Sequence, residues 1–401
     1  MRSEVAFATS SRGSTMPEDW RVAPLGDVLT LQRGFDLPSQ DRLPGEVAVV
    51  SSSGISGTHS EAKVSGPGVV VGRFGTLGTV TYITDDFWPL NTTLYVRDFK
   101  GNDPRFVSFL LQTLDYEAHN DKTTVPGVNR NHLHQTLVRV PPVSEQREVA
   151  DALDAIESKI SVEARLARQL RALVIALFER RFPQLDDETS GAWPIVSLTS
   201  IATFARGVSY RSDELRPADR ALVTLKCFGR DGMYQTDGLK PFAGPYKASQ
   251  EVRPGDLVVA QTDITQAGDV IGRVVQIPAH RDYPTLVASL DAVVVRPATA
   301  IPNEFLFGVL ARESFRDLAR GYANGSTVLH LDGRLFTDYA LQLPPSELLS
   351  RFADEARPLL ARAADACQQI DAMDALRRLL LPSLATGTLR LSGAAGADPG
   401  S

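Results

Sequence analysis

Two long stretches of this chain repeat apolar or small residues at alternating steps of four and three. The first places Val149, Leu153, Ile156, Ile160, Ala167, Leu170, Val174 and Leu177 on one stripe, interrupted by Glu163. The second places Phe352, Ala356, Leu359, Ala363, Ala366, Ile370, Met373 and Leu380 on another. That spacing predicts two amphipathic helices, each facing a partner helix. Each follows a Pro-Pro pair, Pro141-Pro142 or Pro344-Pro345. Ser144, with Glu145 and Glu148, is the expected cap of the first helix. Pro358 falls inside the second, where a proline costs about 3 kcal/mol. A bend or a restart is expected there.

The segments before these helices have a different rhythm. Short Val-, Thr- and Gly-rich runs such as "GVVVGRF", "TVTYIT", "DLVVAQT" and "DAVVVRP" are bounded by Gly, Pro and Asp. They predict strands joined by turns, with short helices such as "PRFVSFLLQTLDYEA" between them. The runs also recur in order. "WRVAPLGDVLTLQRG" from Trp20 matches "WPIVSLTSIATFARG" from Trp193, and "NTTLYVRDF" matches "SLDAVVVRP". "TTVPGVNRNHLHQTLVRVPP" matches "STVLHLDGRLFTDYALQLPP".

The expected fold class is therefore α+β: two similar β-rich domains joined by two long antiparallel helices in a coiled coil, as a pseudo-two-fold internal repeat. The expected boundaries are a disordered leader at 1–16, a first globular domain at 17–143 and a central helix at 144–185. A second globular domain at 186–345, a distal helix at 346–391 and a disordered tail at 392–401 follow.

Composition narrows the chemistry. The chain has 401 residues, a net charge of −6 and only two cysteines, Cys227 and Cys367. No disulfide framework or thiolate metal site is expected, and a reducing cytoplasm fits. No apolar run is long enough to span a bilayer. No Walker A loop, strand-linked G-x-G-x-x-G, "NPPF" or "DPPY" occurs. "HLH" at 132–134 would face one side of a strand and lacks a third metal ligand. "EAK" at 61–63 superficially matches half of a nuclease site, in which Lys63 would be essential. Two copies without a reaction centre fit a recognition protein better than an enzyme. The alternative from another class is a coiled-coil scaffold carrying two protein-binding modules.

These residues resemble the specificity (S) subunits of type I restriction-modification systems. The resemblance runs from Trp20 to Leu391 and is strongest in "VRVPPVSEQREVADALDAIESKI", where Glu145 and Gln146 supply the family's Glu-Gln pair. "LLLPSLATGTLRL" and "PGDLVVAQTDITQAGDVIGRV" add to it, whereas "LPPSELLSRF" lacks the pair. The resemblance implies two target-recognition domains, each reading one half of a bipartite sequence in double-stranded DNA. It implies helices that space them and dock two methyltransferase subunits, with motor-nuclease subunits added in the full complex. S-adenosylmethionine, ATP and Mg²⁺ would belong to those partners, and this chain would hold no cofactor, no metal and no catalytic residue. A helix over 144–182 would extend roughly 58 Å, between one and two turns of B-DNA at about 34 Å each.

Affinity for DNA comes from Lys and Arg on phosphates, and specificity from polar side chains at base edges. The candidates in the first domain are Arg73, Thr76, Lys122, Thr123, Thr124, Asn129 and Arg130. Those in the second are Lys226, Arg230, Gln261, Thr262, Asn324, Ser326, Thr327 and Arg334. For helix packing and subunit docking they are Glu145, Gln146, Val149, Leu153, Ile156, Ile160, Phe352, Leu359, Ile370 and Met373. Residues 193–345 carry 16 basic against 16 acidic side chains, and 20–143 carry 11 against 12. Neither domain is basic overall, so modest affinity for DNA is expected from the chain alone.

Overall fold

The structure is a computed structural model that describes residues 20–119, 127–187, 189, 191–265 and 267–391. The expected leader and tail, and the candidates Lys122, Thr123 and Thr124, lie outside the described residues. The chain divides into two compact units, Met1–Glu157 with Ala375–Ser401, and Ser158–Asp374. The division falls inside both long helices, Val143–Arg181 and Ser346–Ala385.

In the first unit a four-stranded antiparallel sheet has Thr93–Asp98 and Gly68–Gly72 at its centre. Thr30–Arg33 flanks the former and Val80–Ile83 the latter. "GVVVG" is buried at every position because it is paired on both edges and covered on both faces, hence a continuous apolar run rather than an alternating one. A smaller sheet pairs Val47–Ser51 with Gly54–His59, and with Phe87–Pro89 in parallel. The helix Pro104–Gln112 covers the core. Asp103 caps it, accepting from the amides of Arg105 and Phe106 at 2.9 and 3.0 Å, and Pro104 stands at its first position.

The second unit repeats these connections. Ala292–Pro297 and Leu257–Ala260 are central, flanked by Ala202–Arg206 and Val274–Gln276. Arg220–Val223 pairs in parallel with Thr285–Ala288, as Val47–Ser51 does with Phe87–Pro89. A short strand beside the first helical turn closes each unit: Arg21–Pro24 with Leu137–Val140, and Ile195–Ser197 with Ala340–Gln342. Gly34 and Gly207 recur for a steric reason. A Cβ on Gly34 would lie 2.3 Å from the carbonyl oxygen of Leu90, and one on Gly207 would lie 2.0 Å from that of Ser289.

The long helices pack antiparallel within each unit. In the first, Val149 and Leu153 share a core with Leu381 and Leu384. Glu157 pairs with Arg377 at 3.0 Å, and Arg105 pairs with both Asp154 and Glu157. The segment after the second helix turns back, so that Gly387 lies against the Trp20 ring and Arg390 pairs with Glu145 at 2.8 Å. In the second unit Ala167 packs on Ala363 and Ala366. Phe178 and Phe182 pack on Phe305 and Phe352.

Three local expectations change. The first helix begins at Val143, so Ser144 lies in its first turn and is not its cap. The second helix neither stops nor restarts at Pro358. Pro358 and Asp354 are on the exposed face, opposite Phe352, Ala353, Ala356 and Leu360, so water can reach the Asp354 carbonyl deprived of its donor. Glu163 does not leave the stripe. Its side chain is 3% exposed and accepts from Lys159 at 2.5 Å and from Arg362 at 2.7 Å, which hold its carboxyl below the usual range.

Candidate nucleic-acid interface

In the first unit the candidates gather where the strand Gly68–Gly72 ends. Arg73 and Phe74 both donate their amides to the carbonyl of Thr92, at 3.0 and 3.2 Å. Gly75 and Gly78 adopt positive φ of 78° and 72°, which lets the chain turn tightly and leaves Thr76 exposed on the turn. The Arg73 guanidinium lies over the Phe74 ring at 4.4 Å and donates Nε–H to the Val128 carbonyl at 3.2 Å. Arg33 and Arg130 are close enough to act on the same guanidinium. Burial first, then these two cations, push the Arg73 pKa down. A cluster of like charges is relieved by an anion, and the phosphates of DNA are such an anion.

Asn129 proves to be architectural. Its side chain accepts from the amide of Asn131 at 3.0 Å and caps the helix Arg130–Gln135, leaving Arg130 exposed. The "HLH" run lies on that helix, not on a strand, so His132 and His134 point apart. The His134 imidazole accepts the Leu31 amide through Nε2 at 3.0 Å. Burial, then Arg130 and Lys100, hold its pKa below the usual 6.5. The folded state thus binds this proton less readily than the unfolded state, and stability falls as pH drops below about 6.5. We expect the Tm of the wild-type chain to fall more between pH 7.5 and 5 than that of His134→Gln. Equal falls would show that this imidazole does not couple to folding.

In the second unit the chain pairing places Gln261 where Arg73 stands in the first. The Leu331 amide donates to the Gln261 carbonyl at 2.8 Å, as that of Val128 donates to Arg73 at 3.2 Å. Thr262 pairs with His330, and Asn324 pairs with His330 from the other side. This small sheet brings Gln261, Thr262, Asn324, Ser326 and Thr327 together. However, Gln261 is 8% and Thr262 2% exposed, and the Thr262 hydroxyl donates to Asp291 at 2.8 Å. These two side chains are interior to the domain in this structure.

Asn324, Ser326 and Thr327 are exposed around Gly325, whose φ is 133°. Arg334 is exposed but pairs with Asp332 at 2.7 Å, and Arg230 with Asp269 at 3.3 Å, which offsets both charges. Lys226 is exposed on the turn Leu225–Cys227. Near "EAK", Lys63 lies over the Trp88 ring at 4.7 Å. The described residues contain no group of three or more His, Cys, Asp or Glu suited to a metal ion. No helix among them is long and apolar enough to cross a membrane.

The docking candidates divide by burial. Val149, Leu153 and Phe352 are core residues, while Ile156, Ile160, Leu359, Ile370 and Met373 are partly buried. Glu145 accepts from the Trp20 indole at 3.0 Å and pairs with Arg390, so its charge is held internally. Gln146 is 1% exposed and cannot present itself to a partner. It accepts from the Asp103 amide at 2.8 Å and donates to Asn102 Oδ1 at 2.8 Å and the Pro141 carbonyl at 2.9 Å. Its work is to fix the helix to its own domain.

Arg33 was not among the candidates. The signal was present, since Arg-Gly recurs in "LQRG" and "FARG" and Arg206 takes the equivalent place.

A family model described as the type I restriction modification DNA specificity domain matches residues 17–172. No curated protein matches the chain. The S subunit of a type I restriction-modification system from M. genitalium is 15% identical. The match covers 93% of this chain and 97% of that one, with a TM-score of 0.57. The HsdS subunit from Thermoanaerobacter tengcongensis is 16% identical over 95% of this chain and 100% of its own. Its TM-score is 0.34. Residues 17–172 are thus similar to the type I restriction modification DNA specificity domain, and the chain has the fold of a type I S subunit.

Proposed function

We propose that this chain is the DNA-recognition subunit of a type I restriction-modification complex and performs no chemistry itself. The observation that carries the reading is the repeated strand order in a chain whose residues 17–172 match a DNA specificity domain. Two matched readers suit a bipartite target, one for each half. The long helices would then form the coiled coil that sets their spacing, with the halves related by a pseudo-two-fold axis. Methyltransferase subunits are the partners, and two of them suit that symmetry. They would bring S-adenosylmethionine, and motor-nuclease subunits would bring ATP and Mg²⁺.

Arg33, Arg73 and Arg130 are the phosphate contacts of the first reader, and Thr76 is exposed on the turn that follows Arg73. Asn324, Ser326, Thr327 and Lys226 are the exposed contacts of the second. The test is the methylome of cells with and without the chain. A split adenine motif should appear only with it, and full-strength methylation in its absence would sink the reading. With partner subunits present, the Arg33/Arg73/Arg130 triple alanine variant should flatten the salt dependence of DNA binding. The slope of log K against log salt should fall by about 3, at roughly 0.9 per phosphate. An unchanged slope would place the phosphate contacts elsewhere.

A further inference from the structure

Within the second unit, a pocket with about 400 Å³ of empty volume, part of it open to solvent, lies between the two long helices and the recognition domain. Arg171 lines it from the first helix, and Leu360, Ala363, Ala364 and Cys367 from the second. Met233, Tyr234, Gln276, Pro278 and Phe307 close the other side. The wall is mainly apolar, but two polar groups in it have no hydrogen-bond partner in the protein among the described residues. Tyr234 is 8% exposed, and its hydroxyl is buried without a hydrogen-bond partner. The Arg171 guanidinium stacks on the Phe307 ring at 4.9 Å and lies against Gly232, where a Cβ would stand 3.0 Å from it. No hydrogen bond or ion pair holds it among the described residues. The nearby Asp231 pairs instead with Arg168 at 3.6 Å. Burial, then Arg273, push the Arg171 pKa down to about 10, against the opposing charge of Asp231.

A half-buried guanidinium that no protein group meets is well placed to receive an anion. A phosphate would lose its hydration against Phe307, Leu360 and Met233 without compensation, whereas a carboxylate on an apolar body satisfies both halves of the pocket. We propose that this pocket binds a small apolar carboxylic acid, with the carboxylate on Arg171 and the body against Phe307 and Leu360. The proposal is independent of which DNA sequence, if any, the chain reads. Such a ligand would touch both long helices and the recognition loop at once, and so would brace the loop against the helices.

The test is a titration of the full chain with benzoate and octanoate, followed by calorimetry and by the shift in Tm. Benzyl alcohol and inorganic phosphate serve as controls. Both carboxylates should bind and raise the Tm, and both controls should be at least tenfold weaker. Arg171→Leu should weaken carboxylate binding on the order of tenfold or more. Ala364→Phe, which leaves Arg171 in place and fills the pocket, should abolish binding and tests the site even if Arg171→Leu does not fold. Failure of the wild-type chain to bind either acid, equal binding of benzyl alcohol or phosphate, or undiminished binding by Ala364→Phe would overturn the proposal.

Discussion

Replacing Phe178 by alanine is expected to destabilise the second unit by about 3–5 kcal/mol. The ring is fully buried. Its centroid lies 5.0 Å from that of Phe182, 5.5 Å from that of Phe305 and 5.3 Å from that of Phe352, in edge-on or tilted geometry. Aromatic pairs of this kind contribute beyond the area they bury. The site also resists collapse. Gly308 gives the ring its space, since a Cβ there would stand 2.1 Å from Phe178 Cδ2, and the rigid helix Asn303–Ala311 cannot move in to fill a void. Arg312 lies over the same ring at 5.5 Å while pairing with Asp186 at 2.7 Å, so the loss reaches a charged network as well. Urea unfolding of the full chain, followed through Trp193 beside Phe182, measures the cost. A loss below about 1 kcal/mol would mean that the cluster is loosely packed and the cavity closes.

How far the sequence announced this arrangement depends on the range of the interaction. Apolar steps of four and three located both long helices, and the Val runs located the central strands, because each signal is carried by neighbours within one element. The helix runs on through Pro358 without a restart, and Pro358 and Asp354 both lie on its exposed face. Glu163 looked like a break in the stripe because its partner Arg362 is 199 positions away. Gln261 and Thr262 were chosen for residue type on a turn, yet the pairing of Thr262 with His330 draws them into the interior. Arg33, Arg73 and Arg130 come from three separate segments, and only the folded sheet gathers them. Long-range polar pairing is thus what the pattern leaves out, and the Glu-Gln pair shows it most clearly.

Gln146→Ala is expected to cost about 2–4 kcal/mol, because it leaves the Asp103 amide, Asn102 Oδ1 and the Pro141 carbonyl unmatched in a dry site. The second hinge explains why such a network can nevertheless be absent. By the Pro-Pro register, Leu349 stands in the place of Gln146 and is buried. Before the matching helix, Ile301 and Pro302 stand in the places of Asn102 and Asp103. Proline has no amide hydrogen to satisfy, so the donor that Gln146 accepts is gone together with its acceptor. Removing both partners of a buried hydrogen bond is nearly neutral, whereas removing one is not. The departure from the Glu-Gln pattern is therefore a compensated exchange of a polar joint for an apolar one. It follows that Gln146→Leu alone should be as damaging as the alanine change. Asn102→Ile, Asp103→Pro and Gln146→Leu together should recover at least about 1 kcal/mol of the loss, even though the Asp103 cap, worth about the same, is given up. The φ of Asp103, −66°, already suits a proline ring. Denaturant midpoints of the wild type, the single and the triple variants decide the matter. A triple variant no more stable than Gln146→Leu would show that the two hinges are built on unrelated joints.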